Sequence, residues 1–180
     1  MSIFDRPVTS CGFCGIKGGM SDASENRLLN VLFVCVGNSC RSQMAEAMAN
    51  RYGKGRVKAW SAGSSPLGSI TPKTYDVMEE KGISLEEHWS KSLEDVPMDE
   101  MDVVVGMGCE VICPVPVGFK GRVIEWNIPD PFGHNLDYFR NVRDLIQRQV
   151  MALLNDLDRL GQEPEGSSPE SEVRGPESED

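Results

Sequence analysis

Apolar and polar residues follow one another along the chain in blocks that predict alternating strands and helices. Residues 29–36 form a near-continuous apolar run, which is typical of a strand covered on both faces. Residues 43–51 repeat their apolar side chains on one helical stripe. Residues 56–61 then predict a second, shorter strand, so the first third of the chain has the order strand, helix, strand.

The second half of the chain continues the alternation. A Thr-Pro pair at positions 71–72 predicts a helix start, with threonine as the N-cap and proline in the first helical position, and this helix should end near Gly82. Residues 102–107 and 122–126 predict two more strands. Residues 136–160 carry apolar side chains at spacings of three and four, which predicts a long amphipathic helix that covers one face of a sheet.

This order of elements predicts an α/β fold: an open four-stranded parallel sheet with helices on both faces. Sheets of this kind bind ligands beyond the carboxyl ends of their strands, where the chain topology switches. Cys35 lies at such an end, because the first apolar run stops there and a small polar loop follows. We therefore expect the functional site in this loop.

Length and charge divide the chain into three parts. A chain of 180 residues holds one domain with a full core, which we place at residues 29–160. Residues 1–28 predict a flexible leader arm. Residues 161–180 hold seven acids and one arginine among Pro, Ser and Gly, so about −6 of the formal net charge of −10 belongs to a predicted disordered acidic tail.

The composition also narrows the partners and the compartment. No apolar stretch is long enough to span a bilayer and no signal peptide is visible, so we expect a cytoplasmic protein without a membrane partner. No basic patch occurs, which argues against nucleic acid as a partner. The six cysteines are dispersed through an ordinary core-forming composition, which favours free thiols used in catalysis, redox exchange or metal binding.

The loop after Cys35 has the composition of an anion site. Gly37 permits positive φ and Asn38 tolerates it, so the loop can turn its N–H groups inward, and the next helix points its N-terminus at the same place. Arg41 offers a planar fork for two oxygens of a tetrahedral oxyanion. The predicted oxyanion loop comprises Val36, Gly37, Asn38, Ser39, Cys40, Arg41 and Ser42.

The same features predict the chemistry of Cys35. The N–H groups, the helix N-terminus and a Ser42 hydroxyl near the sulfur would all stabilise a thiolate, which makes Cys35 a candidate nucleophile. The loop is not a nucleotide-binding P-loop, because no GxxxxGK[ST] motif occurs. A buried core thiol beside an unrelated surface arginine is the simpler alternative, but it leaves the Gly-Asn-Ser insertion unexplained.

The segment CVGNSCRSQMAEAM closely resembles the active-site loop of the low-molecular-weight tyrosine phosphatase superfamily, and GNSCRSQMAE is most like its arsenate reductase branch. Phosphatases of the superfamily more often carry Ile and Pro at the positions of Ser39 and Gln43. The resemblance continues through WSAGSSPLG, SKSL, DVVVGMGC and IPDPFG, and covers about residues 29–155. It implies the fold predicted above and two possible activities.

The resemblance also implies roles for residues outside the loop. Asp130, in IPDPFG, would be the general acid that protonates the leaving oxygen. Cys109 and Cys113, four apart in GMGCEVICPVPVG, would carry electrons in sequence: Cys109 attacks the Cys35 sulfur, and Cys113 then forms a disulfide with Cys109. An external thiol would restore the pair, namely thioredoxin, glutaredoxin or a low-molecular-weight thiol, and no metal or tightly bound cofactor is needed.

The favoured hypothesis is therefore an arsenate reductase that binds arsenate or phosphate. The alternative is a low-molecular-weight protein tyrosine phosphatase in which Cys109 and Cys113 are passive, and Phe132 beside Asp130 would suit the ring of a phosphotyrosine. A third possibility is a redox-sensing interaction protein whose partner motif lies in the acidic tail. These three share the same loop and differ in what the further thiols do.

Three other features have weaker assignments. Cys40 could form a protective disulfide with Cys35, as its position does in the phosphatases. Cys11 and Cys14 form a CxxC motif without a preceding strand, so we expect either an auxiliary electron carrier or, more simply, no function. His88 and His134 lack partners at ligand spacing and receive no role.

Overall fold

The computed structural model describes residues 27–108 and 118–160. Within these ranges lie four strands and three α-helices, with two short 3₁₀ helices before the third strand. The elements are β1 (Leu29–Cys35), α1 (Arg41–Tyr52), β2 (Val57–Gly63), α2 (Pro72–Glu79), the 3₁₀ helices Leu93–Asp95 and Met98–Glu100, β3 (Val103–Met107), β4 (Arg122–Trp126) and α3 (Leu136–Leu160). Thr71 is the N-cap of α2 and Pro72 its first residue, as the sequence predicts.

The four strands form one parallel sheet in the order β2-β1-β3-β4. β1 is central, and its last residue, Cys35, pairs with Gly63 at the end of β2. Five consecutive residues of β1 are buried, which explains the unbroken apolar run in the sequence. The predicted four-stranded parallel sheet is confirmed, and Cys35 lies at its carboxyl edge.

Two apolar clusters pack against the two faces of the sheet. The larger one joins all three α-helices to one face, with Phe33, Met44 and Phe139 fully buried inside it. The smaller one holds Leu32 and other residues of the opposite face, and the 3₁₀ segment covers it. Helices thus contribute to both sides, but the cover on the second side consists of short 3₁₀ helices.

The structure extends two predicted elements toward the carboxyl edge. α1 begins at Arg41 rather than at residue 43, and Arg41 and Ser42 are buried although both are polar. β2 continues to Gly63 rather than ending at residue 61. α1 begins earlier because the polar side chains of Arg41 and Ser42 occupy buried positions, which hydropathy alone assigns to a loop. β2 is longer because Ala62 and Gly63 still pair with Val34 and Cys35 of β1.

α2 and α3 are joined by a cluster of charges on Glu80. Its carboxylate accepts hydrogen bonds from Arg140 at 2.6 Å and from Arg143 at 2.7 Å. The bonds from Arg140, followed by those from Arg143, lower the pKa of Glu80 from 4.5 to about 2, against a smaller opposing effect of desolvation. The ionised form of Glu80 therefore favours the folded state.

The charge cluster predicts that the stability difference between wild type and a Glu80 variant depends on pH. Since folding depresses the pKa of Glu80, its contribution is complete above about pH 4.5 and is lost as the pH falls toward about 2. We expect Glu80→Gln to lower the urea midpoint at pH 7, and the difference from wild type to shrink between pH 4.5 and pH 2. Glu79→Gln, at the exposed neighbouring glutamate, is the matched control. A difference that stays constant with pH would contradict this assignment.

Several sequence predictions concern residues outside the described ranges. They are the acidic tail at 161–180, nearly all of the leader arm, and the cysteines at 11, 14, 109 and 113. Of the leader arm the structure describes Arg27, which pairs with Asp102 at 2.5 Å, and Leu28. In the described part of the chain no helix is long and apolar enough to cross a membrane.

Candidate active site

Cys35 ends β1 at the centre of the carboxyl edge, and its side chain is buried. Its Sγ lies 3.0 Å from the Ser42 hydroxyl at the start of α1. The predicted approach of Ser42 to the sulfur is confirmed. A hydroxyl proton at this distance stabilises a thiolate more than a thiol.

The loop between β1 and α1 makes its sharp turn at Asn38. This residue has a φ of 44°, in the left-handed region. The sequence analysis suggested Gly37 for that role, but Gly37 has no such φ. Instead a Cβ on Gly37 would lie 3.0 Å from the Leu67 side chain, so a larger residue there would have to displace this exposed side chain by a few tenths of an ångström.

The side chain of Asn38 holds the turn in place. Its amide nitrogen donates to the Ser42 and Ser61 hydroxyls, both at 2.8 Å. Its amide oxygen accepts from Gln43 Nε2 at 2.8 Å and from the Lys91 N–H at 2.6 Å. Both donors and both acceptor positions of this amide are therefore used, which fixes a strained residue without leaving a buried polar group unsatisfied.

Arg41 has its guanidinium buried behind the loop. Nη1 donates to the Met107 carbonyl at 2.9 Å and, at 3.3 Å each, to the carbonyls of Gly108 and Ile128. Nη2 donates to Asp130 at 2.7 Å. Nε is buried and finds no acceptor among the described residues. An unsatisfied guanidinium N–H is costly, and an oxyanion would satisfy it.

Asp130 lies at the mouth of the site, with half of its side chain exposed. One carboxylate oxygen accepts from Arg41 Nη2, and the other accepts from the Phe132 N–H at 3.0 Å. The structure thus brings Cys35, Arg41 and Asp130 together, as the sequence analysis expected.

A cavity of about 200 Å³ joins these groups. It is lined by Cys35, Val36, Gly37, Ser39, Cys40, Arg41, Leu67, Asp130 and Phe132. Its floor is the thiol and the arginine, whereas Phe132 is 58% exposed at the rim. The cavity can therefore hold a small tetrahedral anion against the sulfur, with an apolar group beyond it.

Cys40 lies in the wall of the same cavity, and its Sγ lies 3.2 Å from the Thr71 hydroxyl. A disulfide between Cys40 and Cys35 stays a prediction. Cys109 and Cys113 lie outside the described residues, but Gly108, which directly precedes Cys109, is bound by Arg41. Among the described residues no three His, Cys, Asp or Glu side chains are placed to hold a metal ion.

The sequence analysis missed a set of polar residues behind the loop, namely Gln43, Glu46, Ser61, His88 and Lys91. Gln43 Nε2 donates to Asn38 and to the Trp89 carbonyl, and its Oε1 lies 2.9 Å from His88 Nδ1. The available signal was the spacing of Gln43 and Glu46 on the buried side of α1, which places polar groups where a helix normally buries apolar ones.

A buried thiol, an arginine with an unsatisfied N–H and a carboxylate around one anion-sized cavity define the class of cysteine-dependent oxyanion enzymes on a parallel α/β sheet. Comparison with known proteins narrows the class. The family model of the low molecular weight phosphotyrosine protein phosphatase matches residues 30–163. The chain belongs to this family.

Individual relatives come from both branches of the family. A glutaredoxin arsenate reductase of Synechocystis is 37% identical over 126 residues, which is 69% of this chain and 95% of the relative. An arsenate reductase solved in the phosphate binding state is 35% identical, with a TM-score of 0.67 over 72% of this chain and 99% of the other. A tyrosine phosphatase of Erwinia amylovora is 25% identical, with a TM-score of 0.65 over 74% of this chain and 95% of the other.

Proposed function

We propose that the protein is an arsenate reductase that uses Cys35 as its nucleophile and Cys109 and Cys113 as a thiol relay. The observation that carries this proposal is the bond from Arg41 to the Gly108 carbonyl, which ties the oxyanion site to the residue directly before Cys109. The names of the reductase relatives support it, since they match over most of the chain.

The first step uses the described residues. Arsenate would bind above Cys35, accept from Arg41 Nε and compete with Asp130 for Nη2. The thiolate attacks arsenic, so an S–As bond forms and an As–O bond breaks. Asp130, released from Arg41 and protonated, gives its proton to the departing oxygen, which leaves as water.

The second step moves two electrons. The Cys109 thiolate attacks the Cys35 sulfur, an S–S bond forms, and the electron pair of the broken S–As bond stays on arsenic, which leaves as arsenite. Cys113 then attacks Cys109, and Cys35 departs as a thiolate. The product is a disulfide between Cys109 and Cys113. An external thiol must reduce it, either a glutaredoxin or thioredoxin type of protein or a small thiol.

Phosphate-ester hydrolysis is the second candidate, and the exposed Phe132 favours it. Its ring, together with Leu67 at 57% exposure, forms an apolar rim of the cavity against which a substrate's aryl group would pack. This reaction needs Cys35, Arg41, Asp130 and a water, but no further thiol. Because arsenate and phosphate are tetrahedral anions of equal charge, the loop itself hardly distinguishes them.

Single-turnover arsenite release separates the two activities. Fully reduced protein without added reductant should release one arsenite per chain. Cys109→Ser should release none, because nothing breaks the S–As bond. Hydrolysis of p-nitrophenyl phosphate should survive Cys109→Ser and Cys113→Ser.

If wild type and both variants release no arsenite but hydrolyse the ester at similar rates, the reductase proposal is wrong and the phosphatase takes its place. If Cys109→Ser releases as much arsenite as wild type, another thiol carries the electrons, and Cys11 and Cys14 become the next pair to replace.

A further inference from the structure

Lys91 places an ammonium group in the interior, behind the oxyanion loop. Its side chain is only 3% exposed, and Nζ lies 3.1 Å from one oxygen of Glu46 and 3.4 Å from the other. The ring of Trp89 covers the same ammonium, with 4.5 Å between Nζ and the ring centroid. A buried cation of this kind persists only where a specific partner compensates for its lost hydration.

Glu46 is the start of a hydrogen-bond chain that ends at the Cys35 sulfur. As a carboxylate it can only accept, so Ser61 must donate its single proton to Glu46, across 2.5 Å. Because its proton is used for Glu46, the Ser61 hydroxyl can only accept from Asn38, and it accepts from the Asn38 amide nitrogen. The direction of the first bond thereby selects which end of the Asn38 amide points to Ser61.

The backbone of Lys91 fixes the same orientation of the Asn38 amide through a bond to the amide oxygen. Its N–H donates to the Asn38 amide oxygen at 2.6 Å. If the amide were flipped, its NH₂ group would face this N–H, and two donors would be in contact. The Lys91 carbonyl also accepts from the Gly63 N–H at 2.9 Å, at the end of β2. The segment that carries Lys91 is therefore attached to both the loop and the sheet.

The chain reaches the nucleophile through Ser42. Because the Asn38 amide nitrogen donates to the Ser42 hydroxyl, that hydroxyl uses a lone pair for Asn38 and keeps its own proton for the Cys35 sulfur, 3.0 Å away. A hydrogen bond that the Ser42 hydroxyl donates to the sulfur stabilises the thiolate, whereas one that the hydroxyl accepts from the S–H would stabilise the thiol.

Two basic groups face Glu46, the Lys91 ammonium and the His88 ring, whose Nδ1 is 3.5 Å away. Burial lowers the pKa of His88 below 6.5, and the opposing effect of Glu46 is smaller. His88 is therefore neutral at pH 7, and Lys91 is the cation that pairs with Glu46.

We propose that Lys91 is a positioning residue: its ammonium pairs with the Glu46 carboxylate and fixes it as the acceptor for Ser61, and the hydrogen-bond chain through Ser61, Asn38 and Ser42 then directs the Ser42 proton to the Cys35 thiolate. The proposal rests on Cys35 being the nucleophile of the proposed function. It does not depend on which substrate the enzyme uses.

The test measures the pH profile of Cys35 alkylation by iodoacetamide, located by mass spectrometry, in the full-length reduced protein without substrate. Lys91→Met keeps the length of the side chain and the backbone N–H but removes the charge. We expect the midpoint of its profile to rise by about one pH unit, and the alkylation rate at neutral pH to fall several-fold.

Lys58→Met is the matched control, because Lys58 also lies over an indole ring, that of Trp60 at 4.3 Å, but is exposed and outside the chain. Its profile should equal that of wild type. If Lys91→Met does not fold, the double variant Lys91→Met with Glu46→Gln removes both charges. Its midpoint should also rise, because glutamine does not force Ser61 to donate.

A folded Lys91 variant, single or double, with the wild-type profile would overturn the proposal. Because no arsenate or ester is present, absence of reductase activity would leave this result unaffected, so the two proposals fail independently.

Discussion

Cys35→Ser is expected to abolish both arsenate reduction and phosphate-ester hydrolysis, each by about 10³-fold or more. A serine hydroxyl fits the same space at the end of β1, but it does not ionise at neutral pH, so the hydrogen bond from Ser42 and the nearby arginine have no anionic nucleophile to stabilise. The measurements are single-turnover arsenite release and steady-state hydrolysis of p-nitrophenyl phosphate.

The variant should nevertheless keep the oxyanion site, because Asn38 and Arg41 are held by groups other than the sulfur. Phosphate should therefore raise the melting temperature of Cys35→Ser by about as much as that of wild type. A loss of both activity and phosphate binding would indicate that the loop has collapsed. Retention of more than a tenth of the hydrolysis rate would mean that the nucleophile lies elsewhere.

The sequence predicts those parts of the fold that local periodicity encodes. The apolar run of β1 and the spacing of three and four in α3 report burial directly, so the strand, the helix and their order are correct. The position of Cys35 follows from the same pattern, since it is where an apolar run meets a polar loop. Its link to Arg41 came from the composition of the loop, and its link to Asp130 came from the family resemblance rather than from periodicity.

The polar support of the loop could not be predicted in this way. Lys91 and Asn38 are 53 residues apart and meet only because β1 and the segment after α2 end at the same edge of the sheet. Hydropathy also assigns Lys91 and Glu46 to the surface, whereas the structure buries them as a pair. A contact that depends on topology and on mutual compensation of charge leaves no periodic signal in either segment.

Arg41→Lys should lower turnover by about 10²–10³-fold although the positive charge remains. The guanidinium has two tasks that need its planar shape. Nη1 holds the carbonyls of Met107, Gly108 and Ile128, while Nε is left for the anion. A lysine ammonium can meet one of these demands but cannot span both, because its donors diverge from a single atom.

The same substitution should also reduce stability, since carbonyls at the end of β3 and near Asp130 lose a buried donor, at a cost of about 1–3 kcal/mol. Arg51→Lys, in the last turn of the same helix and exposed, is the matched control and should change neither quantity appreciably. Saturation kinetics and urea unfolding separate the two effects. Wild-type kcat/KM in a folded Arg41→Lys protein would show that charge alone suffices, and Arg41 would then be a point charge rather than a bidentate ligand of the oxyanion.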